Sequence, residues 1–334
     1  MHRTTFPRLT ARSALLVLSL AACGDAALAP SASPALSAAV GAPLEVPPLA
    51  WRPLRGPDAV AAFAVTADGA VLAGDDLVGL WRSTDDGSSW TRVESFPADV
   101  GILDLAADAA GPVWAATTLG VMRSHDGGTS WVPAGLEDKW VTALAVSDDG
   151  GVYAGAGGWS GGVFRSTDGG LHWTQIVPSV NPREFIINFL TAYKGDLFVG
   201  THADNILRSF GFGESWDWGT IQFADGYLPS PHAMVVTEQA TQLVALPAGI
   251  FRSEDGERWT PAFDETGVIA MTRDARGAVL ALGYDHVVRR SVDDGRSWTP
   301  ISVRVNADYG RAFIATPSGR LLVGGFEGVW GTVR

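Results

Sequence analysis

Only one cysteine, Cys23, occurs in the 334 residues, so no disulfide framework within the chain is possible. Lysine is nearly absent, at Lys139 and Lys194, and the formal net charge is -12. A polyanion such as nucleic acid is thereby excluded as a partner, because a phosphate backbone needs a positive patch. Charged residues are 18% of the chain and glycine reaches 40 residues, which excludes a coiled coil. Disorder is excluded as well: 46% of residues are hydrophobic and 13 tryptophans need burial. No apolar run approaches the roughly 20 residues that a spanning helix requires. His-Glu-x-x-His and clustered Cys/His patterns are missing, so no cofactor or metal site is expected.

What is present begins with an address. Residues 1–22 carry Arg3, Arg8 and Arg12, no acid, and the apolar run Ala14–Ala22. That order is the basic and apolar arrangement of a secretory signal. The run ends Leu20-Ala-Ala-Cys23, which resembles a bacterial lipoprotein box with Cys23 as the lipidated residue. Residues 23–50 are rich in Ala, Pro and Ser without a period, and read as a tether. Loss of residues 1–22 would remove three arginines and take the charge from -12 to -15. The expected location is an exported lipoprotein on the periplasmic or cell surface, touching membrane through the lipid alone.

The remainder, 51–334, repeats. Six segments share Ser-x-Asp-x-Gly-x-x-Trp or a near variant. The first is Ser83-Thr-Asp85-Asp-Gly87-Ser-Ser-Trp90. The others carry Ser124, Asp126 and Trp131; Ser166, Asp168 and Trp173; Ser209 and Trp216; Ser253, Asp255 and Trp259; and Ser291, Asp293 and Trp298. The fourth has Gly211 in place of Asp, and the fifth is one residue shorter between Asp255 and Gly256. Asp and Gly between alternating runs predict a hairpin turn, with Ser and Asp oxygens accepting turn N–H groups and Gly supplying positive φ. Each Trp is expected to pack against the next repeat. The arginine preceding each segment (82, 123, 165, 208, 252, 290) reads as a rim residue, its stem packed and its head solvated.

The Trp markers recur every 39 to 43 residues, at 90, 131, 173, 216, 259 and 298. Trp51-Arg-Pro-Leu54 looks like the strand after such a turn, and Gly328-Val-Trp-Gly-Thr332 like the strand before one. The two ends complement each other. The expected fold is all-β: a seven-bladed propeller of four-stranded antiparallel blades, closed by the N-terminal strand pairing with the C-terminal blade, which leaves no exposed sheet edge.

The six segments resemble the Asp-box, or bacterial neuraminidase, repeat. The resemblance implies a propeller with the boxes on the outer rim between third and fourth strands, hence structural. It implies a ligand face on the opposite loops, between second and third strands and between blades. The candidate ligand residues there are Trp140, Trp159, Arg183, His202, Tyr227, Tyr284, Tyr309 and Arg311. No catalytic residue is identified. Sialidases share the boxes, but their Arg-Ile-Pro motif is missing here and their Arg clamp has few counterparts. Xyloglucan-cleaving hydrolases resemble the chain too, yet use the cleft between two propellers. Photosystem II assembly factors are similar in plan: signal, tether, seven blades. Together these imply a monomeric, non-catalytic binding or assembly module for an envelope protein or glycan, with a glycoside hydrolase as the alternative.

Overall fold

The computed structural model describes residues 48–333, apart from 78, 109–110, 159–160, 179–185, 203–205, 218–229 and 307–309. Cys23 and the tether lie outside the described residues. The described chain forms strands β1–β28 in seven four-stranded antiparallel sheets. Blade 1 shows the plan: inner β2 (Ala62–Val65), then β3 (Val71–Asp75), β4 (Gly79–Ser83) and outer β5 (Thr91–Arg92). Second strands are buried along their length, as Val-Leu-Ala-Gly-Asp in β3, apart from Asp196 at the start of blade 4's, because both sheet faces meet neighbouring blades.

Closure follows the expected pairing. β1 (Trp51–Leu54) lies antiparallel to β28 (Gly328–Thr332), with Trp51 opposite Thr332 and Leu54 opposite Val329. It thereby becomes the outer strand of blade 7, beyond β26 (Ala312–Ala315) and β27 (Leu321–Gly325).

Seven apolar clusters fill the spaces between blades. The segment tryptophans do not pack against the next repeat. Each joins the cluster shared with the preceding blade: Trp131 with Leu72 and Leu80, Trp298 with Leu243 and Val268. Trp51 takes that position for blade 7, in the cluster with Leu280 and Val305. The turn sends its last residue back across the sheet, and the hand of the ring decides which neighbour receives it. Close approach also needs small residues: a Cβ on Gly155 would sit 2.8 Å from Ile187 of the next blade.

The rim arginines are not solvated heads either. Arg82 Nε donates to Gly127 O at 2.9 Å, Arg208 Nη1 to Asp255 O at 2.7 Å and Arg252 Nε to Asp294 O at 2.9 Å, each a carbonyl in the next blade's turn. Arg123 does the same to Gly169 O. Acids on the first-to-second-strand turns hold Arg82, Arg165, Arg208 and Arg290 from below. Blade 7 has Gly331 where the others carry Arg, and Arg320, just before the adjoining strand β27, reaches Asp86 O at 3.0 Å instead. Guanidinium groups thus clip consecutive blades together at the rim.

Within the turns, the buried Ser hydroxyl is the hub. Ser166 Oγ accepts Gly170 N–H at 2.8 Å and donates to Asp168 Oδ1 at 2.9 Å, and Asp168 accepts His172 N–H at 2.9 Å. The short fifth turn keeps the scheme, with Gly256 N–H on Ser253 Oγ at 2.8 Å. The fourth does not: Ser209 Oγ is buried without a hydrogen-bond partner among the described residues, where Gly211 replaces Asp. Ser166→Ala is therefore expected to cost about 1–3 kcal/mol, since it orphans a buried N–H. Ser209→Ala should be neutral or slightly stabilising. Urea unfolding of the two variants checks this; an equal loss in both would reject the assignment.

Candidate functional site

The inner strands meet around a central channel. Its upper end is a cavity of 320 Å³ to which every blade contributes the first part of its inner strand. Those strands include β6 (Ile102–Ala107), β10 (Trp140–Val146), β14 (Ile187–Tyr193), β18 (Ala233–Val236) and β22 (Val268–Arg273). The cavity opens toward the turns between second and third strands, the face opposite the Ser/Asp turns.

Register shifts shape its wall. β6, β10, β14 and β22 each bulge at their start, past Leu103, Thr142, Asn188 and Ile269 respectively. A bulge re-aims a side chain, and all four residues line the cavity. Polar ones reach the next blade. Thr142 Oγ1 donates to Ile187 O at 2.8 Å, and Asn188 Nδ2 to Pro231 O at 2.9 Å and Ser230 Oγ at 2.8 Å. His232 Nδ1 lies 2.9 Å from Val268 O, so it carries the proton.

Asp104 is the cavity's carboxylate. Its Oδ1 accepts Leu105 N–H and its Oδ2 accepts Leu144 N–H of the next blade, both at 2.8 Å. Burial by the surrounding strands outweighs these bonds and pushes its pKa up to about 6. The sequence reading placed no candidate here. The available signal was an acid interrupting the apolar run Ile102-Leu-Asp-Leu-Ala.

The loop candidates fall out unevenly. Trp159, Arg183, Tyr227 and Tyr309 lie outside the described residues. Tyr284 meets His232 edge to face at 5.8 Å, its hydroxyl 3.4 Å from Nε2. Arg311 pairs with Asp76 and stacks 4.8 Å from the Phe326 ring centroid. His202 is exposed, 3.4 Å from Ser230 Oγ. Trp140 is exposed at the entrance to blade 3. At the mouth, Asp285 is likewise tied to Arg289 at 2.5 Å.

One further pattern emerges at the same face. Tyr284, Phe326, Leu77 and Leu119 occupy the second-to-third-strand turns of blades 6, 7, 1 and 2, and Trp140 follows at blade 3. All five are between 46% and 71% exposed. They form an arc of large apolar side chains over consecutive blades, with Asp76, Asp285 and Glu327 beside them in sequence.

No family model matches the chain. A xyloglucanase of Hypocrea jecorina is 30% identical over 165 residues, 43% of this chain and 20% of that protein. Xyloglucanase Xgh74A of Acetivibrio thermocellus is 29% identical over 150 residues, 42% of this chain and 15% of that protein. The chain thus spans a fifth or less of the length of these curated relatives. Among solved structures, streptogramin B lyase superposes with a TM-score of 0.70 at 12% identity, covering 86% of this chain and 98% of that one. YCF48 bound to D1 peptide gives 0.65 at 16% identity, covering 86% and 96%. An extracellular domain from B. thetaiotaomicron gives 0.68 at 13% identity, covering 86% and 40%. These likenesses show the seven-bladed fold, which proteins of several functions share.

Proposed function

We propose that the protein is an exported, membrane-tethered binding module of the Asp-box propeller class that holds a segment of an envelope protein against the channel mouth. The carrying observation is the apolar arc. Exposed aromatic and aliphatic side chains on five consecutive blades, flanked by acids, are the composition of a recognition surface rather than of idle loops. A lyase and a peptide-bound protein among its structural likenesses leave catalysis open, but the cavity wall supports binding: among the described residues its lining holds one carboxylate, Asp104. Hydrolysis of a glycosidic bond ordinarily uses two, roughly 5–10 Å apart.

The test is a set of envelope pull-downs with a double variant, Tyr284→Ala with Phe326→Ala, beside Ser166→Ala. The face variant should lose partner capture at least tenfold with little change in melting temperature. The turn variant should do the opposite. Capture that survives the face variant and fails with the turn variant would move the site to the rim.

A second reading, glycoside hydrolysis, is favoured by the partial similarity to two xyloglucanases. Reducing-end release from xyloglucan, lost in Asp104→Ala, would establish it over the first. The tether is tested separately. Cys23→Ser should move the protein from the detergent phase to the soluble fraction, and unchanged membrane association would refute lipidation.

A further inference from the structure

The polar groups of the central cavity are unequal in kind. Its donors are already engaged: Thr142 on Ile187 O, Asn188 on Pro231 O and Ser230 Oγ, and His232 on Val268 O. Each crosses to a backbone or hydroxyl oxygen at a blade boundary, so these bonds belong to the ring's own architecture. What they leave in the lining is acceptors: the Asn188 carbonyl oxygen and the Asp104 carboxylate, while the second imidazole nitrogen of His232 meets the Tyr284 hydroxyl at 3.4 Å. Each Asp104 oxygen accepts one N–H, and a carboxylate oxygen has capacity for another. Arg311 is the one Lys or Arg in the lining, and it is held at the mouth by Asp76 and the Phe326 ring. Asp104 therefore has no cationic partner of its own among the described residues.

We propose that this cavity binds an organic cation, an ammonium or guanidinium group, with Asp104 as its counter-ion and the Asn188 carbonyl oxygen as a further acceptor. A cation with several N–H donors satisfies both at once, whereas an anion or a carbonyl finds no uncommitted donor, Arg311 being held by Asp76. Such a charge-assisted bond at a half-buried carboxylate is stronger than the same bond at the open surface. The volume of 320 Å³ is at the lower end of small-ligand pockets, about 300–1,000 Å³, and suits one side-chain-sized group. The apolar arc lies around the opening. The inference thus rests on the proposed binding face and sharpens it: the partner segment would insert a lysine or arginine while its neighbouring apolar residues cover Tyr284 and Phe326.

Calorimetric titration of the full-length protein at pH 7.5 tests the cavity by itself. n-Butylammonium and methylguanidinium are compared with n-butanol, the neutral isostere of the former, and with butyrate. The cations are expected to bind at least tenfold tighter than the neutral compound, with butyrate not binding. Equal binding of cation and neutral isostere, or preference for butyrate, overturns the proposal. A second arm separates a free amine from a side chain: a peptide with one Lys among aromatic residues, against the same peptide with norleucine there. A tenfold advantage for the Lys peptide over butylammonium assigns the cation to a partner chain, and a weaker peptide assigns it to a small molecule. Asp104→Asn should abolish the cation preference. Should that variant fail to fold, the cation-to-isostere ratio in the unaltered protein still decides. Loss of peptide binding in Leu77→Ala with Leu119→Ala, two exposed arc residues outside the cavity lining, with butylammonium affinity unchanged, tests the binding face alone.

Discussion

Deleting residues 46–56 is expected to turn a cooperatively melting protein into one that aggregates at ordinary temperature, while deleting 24–45 shifts the melting temperature by no more than about 2 °C. The first deletion removes β1, whose four residues complete blade 7 along β28 from Trp51–Thr332 to Leu54–Val329. Without it β28 becomes an open edge, and an unpaired edge templates association with other chains. The damage goes beyond one strand. Trp51 and Leu49 leave the cluster between blades 6 and 7, and Leu54 leaves the one between blades 7 and 1. Trp51 Nε1 also releases Val303 O, 3.1 Å away, and Leu49 releases Ile301 O at 2.8 Å. Both neighbours of blade 7 loosen together. Light scattering and calorimetry of the two deletions decide the matter. Similar melting of both would place closure elsewhere.

That closure could be read from residues alone, and the reason is physical. Trp51-Arg-Pro-Leu54 and Gly328–Thr332 are two halves of a unit that occurs intact six times between them, so the missing halves identify each other. Repetition made the blade number legible in the same way. What repetition does not carry is the hand of the ring. Hence the residue pattern alone points the tryptophans to the wrong neighbour and does not show the next blade's carbonyls that hold the rim arginines. Exceptions to the repeat were partly visible. Gly211 announces a weak fourth turn, and Ser209 is indeed left without a partner among the described residues. Gly331 gives no hint that Arg320, from the turn before β27, fills the missing arginine's place. The cavity was least legible. Thr142 and Asn188 stand at equivalent bulges, Asp104 one residue past its blade's bulge and His232 just before β18, and all four differ in type. A search for recurring residues passes over a ring built from unlike ones.

The pH dependence of stability should show two limbs of opposite sign. Turn carboxylates hold the acid limb. The Ser130 hydroxyl and N–H lower Asp126 to about 2, and the His172 N–H and ring lower Asp168 to about 2. Folding depresses both below the unfolded value of about 3.9, so their contribution is complete above pH 4 and is lost as pH falls through 2. Asp104 runs the other way. Folding raises it to about 6, so the native state takes up its proton more readily than the unfolded chain. Its contribution is complete below about pH 4 and is lost as pH rises through 6, a difference of the order of 2 kcal/mol. Maximum stability is therefore expected between pH 4 and 5, with a decline toward pH 7 that most propellers without a cavity acid would lack. His232 and the Arg311–Asp76 pair also face the cavity. Asp104→Asn separates their share, because it should flatten the limb between pH 4 and 6.5 and leave the acid limb in place. Asp126→Asn should do the reverse. Urea midpoints across pH 2.5–7.5 measure both limbs, and an identical slope in Asp104→Asn and the parent above pH 4 would show that the cavity carboxyl titrates normally. A bound organic cation gives a further check on the same curve: it favours the ionised carboxylate, so saturating butylammonium should remove the decline between pH 5 and 7 without touching the limb below pH 4.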